Sequence, residues 1–238
     1  MLIDSTIGFE RPKGRGDTQN ETKAYIVLGD AYRLNNQLQT AIQSYEKALD
    51  IAQERSDKQN ETNAYFGLGN VYRYNNQLQM AIQCYGNVLD IEQKRRNMKY
   101  KTNLNFEEAN ACLMLGEIFH ELKQPEKAIE YFHKAINVNK ELENTEFQTK
   151  AVQGLGTLYL TLASVSSEDC DYKVAIGWYE KALALFGTEF RYHPLHAKTV
   201  TGLAVTYFNL GNTEKAINFI QDAQNIIKKK TDTGNCFT

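Results

Sequence analysis

The sequence predicts an all-α solenoid of about five antiparallel helix pairs, and three observations carry that prediction. Residues 59–98 repeat residues 19–58 without a gap, with roughly 24 of 40 positions identical, and self-similarity at a fixed period marks stacked-repeat architectures. Within each copy the apolar residues recur at helical spacing: Tyr65, Leu68, Gly69 and Tyr72, then Ala81, Tyr85, Val88 and Leu89. Each set therefore lies on one face of a helix. Only three prolines occur in 238 residues, so little interrupts the helices.

Taken in order, residues 1–18 are polar and glycine-containing and are expected to form a flexible lead. Arg15-Gly16-Asp17-Thr18 precedes the first copy as Arg55-Ser56-Asp57-Lys58 precedes the second. The similarity thus starts inside the tail of an earlier hairpin, and the chain is expected to descend from, or be a piece of, a longer array. That alignment accounts for the Arg-Gly-Asp tripeptide as solvated turn residues, with no need of an adhesive role. The first unit, 19–58, carries Tyr25, Leu28, Gly29 and Tyr32, then Ala41, Tyr45 and Ala48. The second, 59–98, has the same skeleton, with the turn-forming Tyr74-Asn75-Asn76-Gln77 between its halves. Gly69 sits mid-helix, where glycine costs about 1 kcal/mol against alanine. Close approach of the partner helix at the small residue Ala81 is the expected reason.

Residues 97–105 break the period and form either an extended second helix or a longer loop. The third unit, 105–144, reads Cys112, Leu115, Gly116, Phe119, then Ala128, Phe132, Ala135, with Pro125 placed at a helix start. The fourth, 145–189, reads Val152, Leu155, Gly156, Tyr159. Its partner helix is delayed to Ala175, Tyr179 and Ala182, with the sole tryptophan, Trp178, alongside. The delay is an insertion, about 163–171, expected to be a surface loop. The fifth, 194–230, is the most diverged: Val200, Leu203, Ala204, Tyr207, then Ala216, Ile220, Ala223. Its last helix ends in Lys228, Lys229 and Lys230, which suit the negative end of a helix dipole. Residues 231–238 are expected to form a flexible tail. Phe219, Ile220, Ile226 and Ile227 are too many for one buried side. The final unit is therefore expected to expose apolar surface that recruits another chain or a second copy.

Composition excludes several classes of function. A net charge of −2 with 24% charged residues gives no electrostatic case for nucleic acid or an anionic membrane. No apolar run approaches the roughly 20 residues of a membrane span, and the N-terminus lacks the apolar stretch of a signal peptide. Cys84, Cys112, Cys170 and Cys236 show no paired spacing, which suggests a reducing, cytoplasmic setting. No catalytic constellation, metal site or cofactor fingerprint is found. His193 and His196 bracket Pro194 without a nearby cysteine or paired carboxylate. Glu107 and Glu108 sit at a helix start, where the dipole favours them. Cys236 is third from the end, whereas prenylation needs the fourth.

The pattern of an aromatic, Leu-Gly, Tyr, then Ala, aromatic, Ala resembles the tetratricopeptide repeat. The unit length near 40 and Leu68-Gly69-Asn70 resemble the Leu-Gly-Asn subclass of signalling scaffolds. The resemblance implies a right-handed superhelix whose first helices line a concave groove for a peptide or helix. Carried over position by position, the groove residues are Ile26, Asp30, Arg33 and Leu34 in the first unit and Phe66, Asn70, Arg73 and Tyr74 in the second. The third unit supplies Leu113, Glu117, His120 and Glu121, the fourth Gln153, Thr157 and Leu160, and the fifth Thr201, Val205 and Phe208. Arg33 and Arg73 recur at one register and could read a carboxylate or phosphate. An asparagine ladder is missing, since Asp30, Glu117, Thr157 and Val205 stand where Asn70 does. Ile26 and Asp30 replace the lysine and asparagine of a chaperone-tail clamp. The expected function is a non-enzymatic scaffold that binds a protein or peptide ligand. The rivals are a regulatory or targeting fragment of a larger protein and an end-to-end structural oligomer.

Overall fold

A computed structural model describes residues 18–97, 106–143, 145–186 and 193–234. Among these every regular element is an α-helix: α1 (Thr18–Leu34), α2 (Leu38–Glu54), α3 (Lys58–Tyr74), α4 (Leu78–Asn97), α5 (Phe106–Glu121), α6 (Pro125–Glu141), α7 (Thr145–Glu168), α8 (Tyr172–Phe186), α9 (Pro194–Asn209) and α10 (Thr213–Gly234). The five helix pairs match the five hairpins read from the sequence. Nearly all of the expected lead, the end of the expected tail, and the stretch 98–105 lie outside the described residues. The chain divides into two compact units, Met1–Glu107 and Glu108–Thr238.

In the first unit α1 packs on α2, α2 on α3 and α3 on α4, and α1 also lies against α3. Its core joins Ala41, Ile42, Tyr45, Leu68, Val71 and Cys84. Tyr45 is fully buried between two glycines. A Cβ at Gly29 would stand 2.8 Å from the Tyr45 ring, and one at Gly67 would overlap it outright. Gly29 belongs to the partner helix of the same hairpin and Gly67 to the first helix of the next, so one aromatic knob fixes both packings. The second unit repeats the device. Phe132 is set between Gly116 and Gly154, and Tyr179 fills the space at Gly202. Burying each large side chain stabilises the fold by about 2–3 kcal/mol. The expectation for Gly69 is corrected in one respect. Its close neighbour is the Tyr85 ring, 2.7 Å from where a Cβ would be, so the glycine admits an aromatic side chain and not merely a close backbone.

The turns share one geometry. Asn36, Ser56, Asn76, Lys123, Cys170 and Gly211 all have positive φ. Around each, the amide after it donates to a carbonyl five residues back, as Gln37 N does to Tyr32 O at 2.8 Å and Asp57 N to Ala52 O at 2.8 Å. This paired bonding at a left-handed residue satisfies the last carbonyls of the helix. Only one of these positions is glycine.

Two boundaries differ from expectation. The insertion at 163–171 is mostly helix, because α7 runs on to Glu168. No glycine or proline lies between Gly156 and that end, and Ala163 is fully buried in a cluster with Ala175, Tyr179 and Leu203. α10 likewise continues to Gly234, four residues into the expected tail. At the last hairpin Ala216, Ala223 and Ile226 are buried while Ile217, Ile220 and Ile227 are exposed. The expected surplus of apolar residues is present, carried by a partly different set.

Candidate functional site

Each compact unit carries candidate surfaces on the first helices of its pairs. In the first unit, α1 presents Ile26, Asp30 and Arg33 half-buried, with Leu34 at 77% exposure. α3 presents Phe66, Asn70 and Arg73 half-buried, with Tyr74 at 68%. The two helices contact each other, so the same four registers, with arginine common to both, occur twice on neighbouring supports. Second-helix side chains stiffen both. The Tyr45 hydroxyl donates to Asp30 Oδ1 at 2.7 Å, and the Tyr85 hydroxyl donates to Asn70 Oδ1 at 2.8 Å. The Phe66 ring packs tilted on Tyr85 with centroids 5.7 Å apart. Arg33 lies 3.6 Å from Asp30, and its Nε is shielded from solvent without a hydrogen-bond partner. Burial, followed by the Asp30 carboxylate, pushes the Tyr45 phenol well above its ordinary range. It therefore stays a hydrogen-bond donor. Asp30 and Asn70 thus have internal work at one oxygen each, which the sequence reading, treating them as groove residues only, did not anticipate.

The second unit is less regular. Leu113 is only 2% exposed and offers no surface to a ligand, which corrects its placement among groove residues. Core packing claims it because α5 is apolar over most of its circumference, with Ala111, Cys112, Leu115 and Ile118 buried as well. Glu117 and His120 are half-buried and Glu121 is exposed. Gln153 is exposed, and its Nε2 lies 2.9 Å from His193 Nε2. His193 caps α9, its Nδ1 accepting from Leu195 N at 3.2 Å, and stacks on Phe186. Thr157 and Thr201 are exposed. The Thr201 hydroxyl donates to Ala197 O within its own helix. Leu160 is half-buried, and Val205 and Phe208 are exposed, Phe208 at 65%. No group of three or more histidine, cysteine or acidic side chains that could hold a metal occurs among the described residues. The sequence reading passed over Val27, 65% exposed, at the register where α3 has Gly67. The difference between the two near-copies at that position was the available signal.

Family profiles described as tetratricopeptide repeat match residues 20–94, 109–142 and 154–229, well over half of the chain. The chain belongs to the tetratricopeptide repeat family. A search of curated proteins finds no match. Solved structures with the same repeat fold include a putative kinesin light chain of Podosopora anserina with nearly identical repeats (18% identity, 91% of this chain and 99% of that one, TM-score 0.55). YrrB, described as a tetratricopeptide repeat protein with an unusual peptide-binding site, is similar at 22% identity over 89% of this chain and 90% of that one, TM-score 0.51. A signal-transduction ATPase of Pyrococcus horikoshii with a tetratricopeptide repeat sensor is similar at 21% identity over 89% of this chain but 31% of that one, TM-score 0.57. At these identities the likeness is one of fold. Membership of the tetratricopeptide repeat family makes a general interaction scaffold the functional frame.

Proposed function

We propose that the chain is a non-enzymatic interaction scaffold that binds an acidic, apolar-anchored peptide or helix of a partner protein along its first-helix faces. The observation that carries this reading is the twofold recurrence, on touching helices α1 and α3, of an exposed apolar anchor beside a guanidinium: Leu34 with Arg33, and Tyr74 with Arg73. Exposed aromatics and leucines gain most when covered, and arginine gives a planar, directional hold on a carboxylate. The tetratricopeptide repeat fold is typically non-catalytic, and YrrB is a repeat protein with a peptide-binding site. Cys84 and Cys112 are buried and form no disulfide, which suits a reducing, cytoplasmic compartment. Among the described residues no helix is long and apolar enough to cross a membrane.

The test is selection from a random displayed peptide library, followed by binding titrations of the selected peptides. Sequences pairing Asp or Glu with a large apolar residue are expected to be enriched. The Arg33→Glu/Arg73→Glu double variant is expected to lose about tenfold or more in affinity for them, the effect of removing one or two charge-assisted bonds. Equal binding by wild type and double variant would remove this face from the function.

A further inference from the structure

The exposed stripe on α10 is not an arbitrary patch. Ile217, Ile220 and Ile227 hold the registers of Ile42, Tyr45 and Ala52 on α2, counted from the shared alanines Ala216 and Ala41. On α2 those three are 8%, 0% and 0% exposed, within a helix that packs on the next hairpin's first helix, α3. On α10 they are 49%, 47% and 54% exposed. α10 therefore carries a donor ridge of the kind used inside the array, with nothing on it among the described residues.

The matching acceptor is also exposed. On α3 the surface that receives α2 is made by Ala64, Gly67, Leu68 and Val71, all buried. The same registers on α1 are Ala24, Val27, Leu28 and Ala31, all exposed, with Val27 at 65% and Leu28 at 40%. The fit differs from the internal one in a compensated way. Internally a tyrosine knob enters a glycine socket, as Tyr45 does at Gly67. Here the knob is the shorter Ile220 and the socket is already filled by Val27. Polar registers correspond as well. Gln53 Nε2 lies 3.4 Å from Glu61 Oε1 across the α2–α3 junction. Lys228 holds the register of Gln53, and Glu21 that of Glu61, so a cation would meet the carboxylate.

We propose that α10 of one copy stacks on α1 of a second copy, continuing between chains the packing that joins α2 to α3 within one. The contact is heterologous: each copy offers one donor and one acceptor surface, so assembly continues until a ring closes or the supply of chains ends. It is separate from the peptide-binding face and does not depend on it.

Sedimentation velocity and light scattering of the full chain, from about 1 µM to about 1 mM, test this. The average mass of the wild type is expected to rise with concentration. Ile220→Glu spoils the donor and Val27→Glu the acceptor. Both sites are exposed, and circular dichroism melts check that both variants fold. Each variant alone is expected to be monomeric. An equimolar mixture is expected to give a dimer and nothing larger, because one intact donor meets one intact acceptor. The Arg33→Glu/Arg73→Glu variant is expected to assemble as the wild type does. A wild type that stays monomeric throughout would overturn the proposal. So would a Val27→Glu variant that assembles like the wild type, since that outcome means α10 pairs with itself or with another surface.

Discussion

The aromatic knob between two glycines makes a sharp prediction about Gly67→Ala. A methyl added there overlaps the Tyr45 ring, and the ring has little room to retreat, because it also packs so close to Gly29 that a Cβ there would stand 2.8 Å from it. Forcing extra volume into such a site costs about 1–3 kcal/mol. Alanine returns about 1 kcal/mol of helix propensity. With the ring held on both sides the strain sits at the upper end, for a net loss of about 2 kcal/mol. Gly86→Ala is the control in the same compact unit. It lies within α4, and an added Cβ there meets nothing within 4 Å, so only the propensity gain of about 1 kcal/mol remains. Two glycine-to-alanine changes should therefore shift the urea midpoint in opposite directions at unchanged slope, about 3 kcal/mol apart. Adding Tyr45→Leu to Gly67→Ala should cost less than the sum of the two single changes, since the smaller side chain relieves the overlap. If Gly67→Ala raises the midpoint as Gly86→Ala does, the knob does not fix the hairpin junction and the explanation of the repeated glycines fails.

Further outcomes follow from the same structure. Ser56→Gly and Lys123→Gly, at φ of 56° and 59°, should each stabilise by about 0.5–1 kcal/mol in denaturant titrations, because the left-handed conformation is strained for side chains other than glycine. Tyr45→Phe removes the 2.7 Å bond to Asp30 and should cost about 1–2 kcal/mol. Stability should be level between about pH 7 and pH 9 and fall above it. Burial pushes the Cys84 thiol from 9.0 up to about 11 and raises the phenols of Tyr45, Tyr65, Tyr72 and Tyr159 above 10.0. The unfolded chain therefore releases these protons first. Tyr45→Phe should flatten the part of that decline above pH 10. In a Cys236→Ser background a thiol reagent should modify the exposed Cys170 readily and the buried Cys84 and Cys112 only on unfolding, a contrast mass spectrometry resolves.

What could be read from the sequence, and what could not, divides along physical lines. Helix pairs and their buried faces were legible because each hairpin must bury Tyr, Leu and Ala at fixed spacing, and the near-copy at 59–98 repeats that constraint visibly. The role of Gly69 was half legible: the need for space shows in the residue type, but which atom fills it depends on how two helices cross. The run of α7 through its insertion was missed because Ser-rich composition suggests a loop. Helix continuation depends instead on the absence of breakers and on a buried contact at Ala163. Among the candidate residues, Leu34 and Tyr74 are exposed. Leu113 is not available, since a position's burial is decided by every element around it and not by its own helix alone. The tie between Asp30 and Tyr45 joins residues 15 apart on different helices, a pairing that periodicity does not reveal.

Nearly identical neighbours create a hazard of their own: during folding, one hairpin can dock where its twin belongs. The single valine at 27, where the twin has glycine, acts against that exchange. At that register a tyrosine in the position of Tyr45 meets the Cβ that Gly67 lacks, so the hairpin bearing Val27 fits poorly behind Tyr45. One small side chain thereby disfavours an exchange between two otherwise interchangeable parts.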